Sequence, residues 1–182
     1  MPRICVFLAG SLGNDPIYLE AARATGAALA ARGWPLVYGG AHRGLMGALA
    51  DACMAAGGEV IGVLPRDLEA REQAHRGLTR LELVDSMGER KDRMMAYADG
   101  FLTLPGGFGT LDELFEVLTA AQLGYHAKPI AIADVGGYYT PLVAWLDGAA
   151  GAGLLARGHR ALISAHPTPD AALAALGVAL DA

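Results

Sequence analysis

The feature that most constrains the fold is the alternation, from residue 4 to residue 180, of short apolar runs with helix-like stretches. The runs at residues 4–8, 36–38, 60–64, 81–84, 101–104, 130–133 and 161–164 are rich in aliphatic or β-branched residues and bounded by glycine, proline or aspartate. Such short continuous runs read as strands buried on both faces, as in a parallel sheet. The intervening residues 15–32, 45–56, 87–98, 111–123, 139–150 and 170–180 read as helices. Strict alternation predicts an α/β, doubly wound parallel sheet of about seven strands with helices on both faces. No linker, low-complexity tract or repeat interrupts it, so residues 1–182 are expected to form a single domain.

Composition narrows the partners. With 53% hydrophobic and 18% charged residues, the chain is built to bury a core, and its mean hydropathy of +0.33 is high. No stretch reaches the roughly 18 uninterrupted apolar residues of a membrane span, so no membrane partner is expected and the apolar excess points to a subunit interface. A net charge of −5 argues against nucleic-acid binding, which needs clustered Lys and Arg. The opening Met1-Pro2-Arg3 leads straight into a strand without signal-peptide organisation, and Cys5 and Cys53 form no C-x-x-C pair, so a reduced, cytoplasmic setting is expected.

In an open α/β sheet the ligand sits beyond the carboxyl ends of the strands. Here those ends carry Ala9-Gly10-Ser11, Gly39-Gly40-Ala41, Pro65-Arg66, Asp85-Ser86 and Pro105-Gly106-Gly107. The last continues as Phe108-Gly109-Thr110-Leu111-Asp112-Glu113, a strand–glycine turn–helix passage. Glycines let the backbone approach a ligand, and the free N–H groups of a helix start favour a phosphate. Glu113, one turn further on, stands where it can act on what the phosphate carries. Thr110-x-x-Glu113 equally fits a capping box in which both side chains merely satisfy backbone N–H groups. Ser86-Met87-Gly88-Glu89-Arg90-Lys91 offers a second box, Ser86 with Glu89, followed by two cations near the positive end of a helix. That placement is unfavourable unless an anion is near: a ligand phosphate, Glu113, Glu72, or for a solvated pair simply Asp92.

Other signatures are missing. Neither G-x-G-x-x-G nor G-x-x-x-x-G-K-[ST] occurs, which weakens dinucleotide and triphosphate readings. His42, His75, His126, His159 and His166 show no metal-ligand spacing, so surface or capping roles are expected and no metal. Ser11 lacks the G-x-S-x-G elbow and reads as a phosphate or ribose contact. The charged 65–79 segment is the longest irregular piece and is long enough to be functional.

Taken together, Ser86-Met87-x-Glu89-Arg90-Lys91 and Pro105-Gly106-Gly107-x-Gly109-Thr110-x-x-Glu113 resemble the paired motifs of the LOG ("lonely guy") family, the cytokinin riboside 5′-monophosphate phosphoribohydrolases. Similarity extends through Gly13-Asn14-Asp15-Pro16, Val37-Tyr38-Gly39-Gly40, Gly44-Leu45-Met46-Gly47, Ala121-Gln122-Leu123-Gly124 and Gly136-Gly137-Tyr138-Tyr139. The resemblance implies a Rossmann-like homodimer that cleaves the N-glycosidic bond of an adenine-type nucleoside 5′-monophosphate, giving free base and ribose 5-phosphate without a cofactor. By position Arg90 and Glu113 match the catalytic pair. Substrate-binding positions fall on Ser11, Gly39, Gly40, Glu72, Met87, Lys91, Gly106, Gly107, Phe108, Gly109, Thr110, Leu111, Asp112 and Thr119, with Arg93 and Tyr97 placed to meet a partner subunit. The "lysine decarboxylase" label often given to such proteins finds little support, since only Lys91 and Lys128 are available to hold pyridoxal phosphate. Departures are Leu8-Ala9-Gly10-Ser11 for the usual cysteine-glycine-serine-serine, Ala41 for a third glycine, and Gly88 for the common histidine. A different reading is a non-hydrolysing carrier, because related folds carry nucleotide-containing molybdenum cofactor; a dinucleotide oxidoreductase would need the absent fingerprint.

Overall fold

The computed structural model describes residues 1–69 and 74–181. Its seven strands, β1 (Ile4–Phe7), β2 (Leu36–Tyr38), β3 (Val60–Pro65), β4 (Arg80–Val84), β5 (Gly100–Thr103), β6 (Ile130–Ala133) and β7 (Ile163–His166), form one sheet in the order β4-β3-β2-β1-β5-β6-β7. All six pairings are parallel, with Ile4 opposite both Leu36 and Gly100. The order reverses between β1 and β5, which makes the crevice beyond their carboxyl ends the switch point of the sheet.

Side chains alternate across each strand. Along β1, Ile4 and Val6 enter one core with Leu29 of α1 (Pro16–Ala31), Leu49 of α2 (Gly44–Ala55) and Leu173 of α7 (Pro169–Leu180). Cys5 and Phe7 enter the other with Met94 of α3 (Met87–Tyr97), Leu114 of α4 (Phe108–Gln122) and Leu146 of α5 (Thr140–Gly151). Two apolar layers therefore enclose the sheet, and truncating a fully buried anchor such as Leu49 to alanine costs about 2–5 kcal/mol. Among the described residues no helix is long and apolar enough to cross a membrane.

Helix starts follow local chemistry. Asp15 caps α1 by accepting from the Ile17 N–H at 3.0 Å, with Pro16 at the first helical position, and Thr168 caps α7 ahead of Pro169. A short α6 (Arg157–Arg160) precedes β7, which begins two residues later than the apolar pattern indicates. Arg160 explains the shift: its Nε binds Asp147 at 2.7 Å and an Nη binds the Ile163 carbonyl at 3.1 Å, holding the chain in a turn until that residue.

Candidate active site at the switch point of the sheet

Helix α4 starts at Phe108, two to three residues before the position the Thr110 cap suggests. Gly107 is its N-cap and no side chain caps it, so the capping box does not form: Thr110 already lies inside the first turn, and Glu113 lies beyond it. Gly106 is needed here. A Cβ on it would fall 2.0 Å from Thr110 Oγ1, so only glycine lets the helix fold back so closely on the turn. The second box does form, one residue spread out: Ser86 Oγ accepts from the Glu89 N–H at 3.1 Å, and Glu89 accepts from the Asp85 N–H at 3.0 Å.

Arg90, 3% exposed, runs from α3 beneath the sheet's carboxyl edge. Its Nε donates to the Val63 carbonyl at 3.1 Å and Nη2 to the Gly39 carbonyl at 2.7 Å, while Nη1 lies 3.7 Å from the Met87 sulfur. A buried guanidinium needs such acceptors to offset its lost hydration. Gly39 leaves room for it, since a Cβ there would sit 2.0 Å from Nη2.

Arg90 and Glu113, the latter 9% exposed, line one cleft of about 370 Å³ with Ser11, Met87, Gly107, Gly109, Thr110 and Asp112. Leu8, Ala9, Gly10 and Met46 complete its wall. None of these four is among the binding positions expected from the sequence, although Ala9 and Gly10 lie at a strand end and Met46 follows the glycine turn after β2. Burial raises the Cys5 thiol pKa well above its usual value; Glu113 nearby adds to the rise and Arg90 opposes it, so both charges act on the centre of the sheet.

Other expected site residues lie elsewhere. Lys91 turns from the cleft and pairs with Glu116 at 2.7 Å and Asp112 at 3.0 Å, both on α4. The Glu116 bond leads in raising its pKa. Thr119 and Lys91 line a separate groove of about 560 Å³ with Phe115, Leu123 and Tyr125. Leu111 packs on the second core, and Phe108 is 98% exposed outside the cleft wall. Gly40 takes a positive φ of 77° and its carbonyl accepts the His75 N–H. Gly106 lines an adjoining recess with Tyr18 and Tyr138. Glu72 lies outside the described residues. Tyr97 donates to Glu82 at 2.6 Å and Arg93 lies 3.5 Å from the same carboxylate, so both are engaged within the protomer.

One cluster escaped the sequence. The donor atoms of His42, Asp51 and His75 lie within 4.8 Å of one another, gathered from three segments. His75 Nδ1 accepts from the Gly77 N–H at 3.3 Å, which leaves its proton on Nε2, 2.9 Å from Asp51. The His75–Asp51 pair ties the loop before β4 to α2.

The parallel sheet, its switch-point cleft and the uncapped glycine turn define a Rossmann-like α/β protein. Among solved structures, the molybdenum cofactor carrier protein of Chlamydomonas reinhardtii matches with a TM-score of 0.76 at 22% identity, over 100% of this chain and 99% of that one. The molybdenum cofactor binding protein of Rippkaea orientalis matches with a TM-score of 0.70 at 18% identity, over 99% of this chain and 98% of that one. At these identities the likeness is one of fold. Sequence similarity is closer to the cytokinin riboside 5′-monophosphate phosphoribohydrolase LOG of Oryza sativa subsp. japonica, 43% identical over 166 residues, 91% of this chain and 69% of that protein. LOG1 of Arabidopsis thaliana is 42% identical over 166 residues, 91% of this chain and 78% of that protein. A family profile described as "possible lysine decarboxylase" matches residues 46–176. The chain belongs to this family, the LOG family.

Proposed function

We propose that the protein hydrolyses the N-glycosidic bond of an adenine-type nucleoside 5′-monophosphate, a cytokinin riboside 5′-monophosphate or AMP, releasing base and ribose 5-phosphate. The observation that carries this reading is the meeting of Arg90, Glu113 and the uncapped 107–110 turn in one cleft at the switch point. The relatives' names point the same way.

Breaking this bond builds positive charge on the ribose and negative charge on the departing base. The helix start holds the 5′-phosphate through backbone N–H groups and the positive dipole end, which fixes the ribose at the first turn. Glu113, one turn further in, stabilises the ribosyl cation or orients the attacking water. Arg90 supplies the fixed positive charge opposite, its fork immobilised by the Gly39 and Val63 carbonyls, for the phosphate or the leaving base. No cofactor enters the reaction. A carrier role has the support of the shared fold alone and gives no task to a buried carboxylate beside the ribose.

The same reading makes the protein a cytoplasmic homodimer. Leu123 at 59% and Tyr125 at 79% exposure border the Lys91–Glu116 groove, an apolar face of the kind a second subunit covers. The test is to incubate the protein with N6-isopentenyl-AMP and with AMP and to separate the products by chromatography. Free base and ribose 5-phosphate in equal amounts support the hydrolase; intact nucleotide bound without turnover favours the carrier.

A further inference from the structure

Three successive carbonyls leave β5 and each meets a donor from outside the turn. The Leu104 carbonyl accepts the Tyr139 hydroxyl at 2.8 Å, the Pro105 carbonyl accepts the Ala9 N–H at 3.2 Å, and the Gly106 carbonyl accepts the Tyr138 hydroxyl at 2.7 Å. A trans peptide is planar, so its C=O and the following N–H point in opposite directions. Fixing the Gly106 carbonyl on Tyr138 therefore aims the Gly107 N–H away from that ring, and Gly107 borders the cleft.

Both tyrosines are themselves held. Asp134, at the end of β6, accepts the Tyr139 N–H at 2.5 Å with one oxygen and the Thr140 hydroxyl at 2.6 Å with the other. The Tyr138 ring meets Tyr18 edge-on at 5.7 Å and Tyr139 edge-on at 5.0 Å. Burial, reinforced by Tyr138, pushes the Tyr139 phenol well above its usual range, so it remains a donor through the physiological range. Gly136 and Gly137, with φ of 62° and 76°, allow the sharp connection that brings both rings back over the β5 turn.

We propose that Tyr138 is a positioning residue that aims the Gly107 N–H at the phosphate group of the substrate, while Tyr139, anchored by Asp134, fixes the strand end just before the turn. This rests on the reading of the turn as the phosphate cradle. Helix α4 has no side-chain cap, and its own first turn sets the N–H groups from Phe108 onward, so the Gly107 N–H is the one whose direction depends on the peptide before it. The Tyr138 hydroxyl sets that direction from the far side of the backbone, and affinity for the phosphate end of the substrate depends on it without its touching the substrate.

The test is Tyr138→Phe in the full chain, which keeps the ring contacts and deletes one hydroxyl. Binding of ribose 5-phosphate and of adenosine is measured by titration calorimetry, and KM and kcat are measured with AMP. Losing one orienting hydrogen bond weakens ribose 5-phosphate binding about 5- to 10-fold and raises KM for AMP similarly, with adenosine affinity unchanged and kcat within about twofold. Thr140→Val, which loosens Asp134 and leaves both hydroxyls in place, gives the same phosphate-selective loss at smaller size and serves where the first variant folds poorly. Unchanged ribose 5-phosphate affinity in both variants, or equal weakening of adenosine and ribose 5-phosphate, overturns the proposal. If the wild type binds ribose 5-phosphate and the variants lose it selectively while no nucleotide is cleaved, the hydrolase reading fails and the positioning role stands.

Discussion

Gly39→Ala is the sharpest perturbation of the site, because it adds one methyl group at a defined place. The new Cβ falls 2.0 Å from Arg90 Nη2 and 3.0 Å from Cζ, against an ordinary contact of at least 3.4 Å, so the guanidinium must move by more than 1 Å. Gly39 is not at a positive φ, so the backbone tolerates alanine and the clash alone is responsible. Moving Arg90 breaks its bonds to the Gly39 and Val63 carbonyls, each a charge-assisted bond of roughly 1.5–3 kcal/mol. After partial relaxation the loss is roughly 2–5 kcal/mol, a fall in Tm of about 5–15 °C for a domain of this size. Misplacing a charged group by about 1 Å lowers kcat/KM roughly 10²-fold. A double-mutant cycle with Arg90→Ala, read by thermal melting, isolates the cause: once the guanidinium is gone, adding the methyl at Gly39 costs less than about 0.5 kcal/mol. If the two substitutions destabilise additively, or Gly39→Ala melts and turns over like the wild type, the account of why glycine stands there is wrong.

Further expectations concern the carboxylate, a half-buried histidine and the start of α3. Glu113→Gln keeps the side-chain volume and removes the charge, so kcat falls about 10²- to 10⁴-fold with Tm within a few degrees, checked by single-turnover assay and melting. The neutral His126 ring hydrogen-bonds the Val117 carbonyl at 2.9 Å and accepts the Lys128 N–H at 3.2 Å, and burial lowers its pKa below 6.5. The unfolded chain then takes up a proton that the folded chain resists, so this contribution is complete above about pH 6.5 and is lost as pH falls toward the folded pKa. Melting at pH 7.5 and pH 5 shows the slope, and His126→Gln flattens it. Gly88→Ala meets nothing closer than Ser86 Oγ at 3.8 Å and stabilises α3 by up to about 0.5–1 kcal/mol, seen as a higher denaturant midpoint with unchanged m-value.

The alternation of apolar runs carried the architecture because a parallel sheet buried on both faces leaves no other pattern, and β1 to β6 fall within a residue or so of it. It misplaced β7 because Ala161 and Leu162 are as apolar as the strand, and the tethering of Arg160 to Asp147 is a contact across the fold. The start of α4 was misread for a local reason: Thr110-x-x-Glu113 has the form of a cap, but Gly107 leaves the helix free to begin earlier. The two motifs did bring Arg90 and Glu113 to one cleft. The sequence could not show that α4 supplies the partners of Lys91, that His42, Asp51 and His75 converge, or that Tyr138 and Tyr139 grip the β5 turn. Each joins segments far apart in the chain through side chains whose types have common structural uses.

The most direct test of the central claim is the ratio of kcat/KM for a 5′-monophosphate to that for its dephosphorylated nucleoside, measured by base release with the wild type and Glu113→Gln side by side. The account predicts a ratio of at least about 10² in the wild type, because the helix start holds the phosphate, and near-complete loss of base release in the variant. Equal rates on nucleotide and nucleoside, or undiminished turnover by Glu113→Gln, would contradict it.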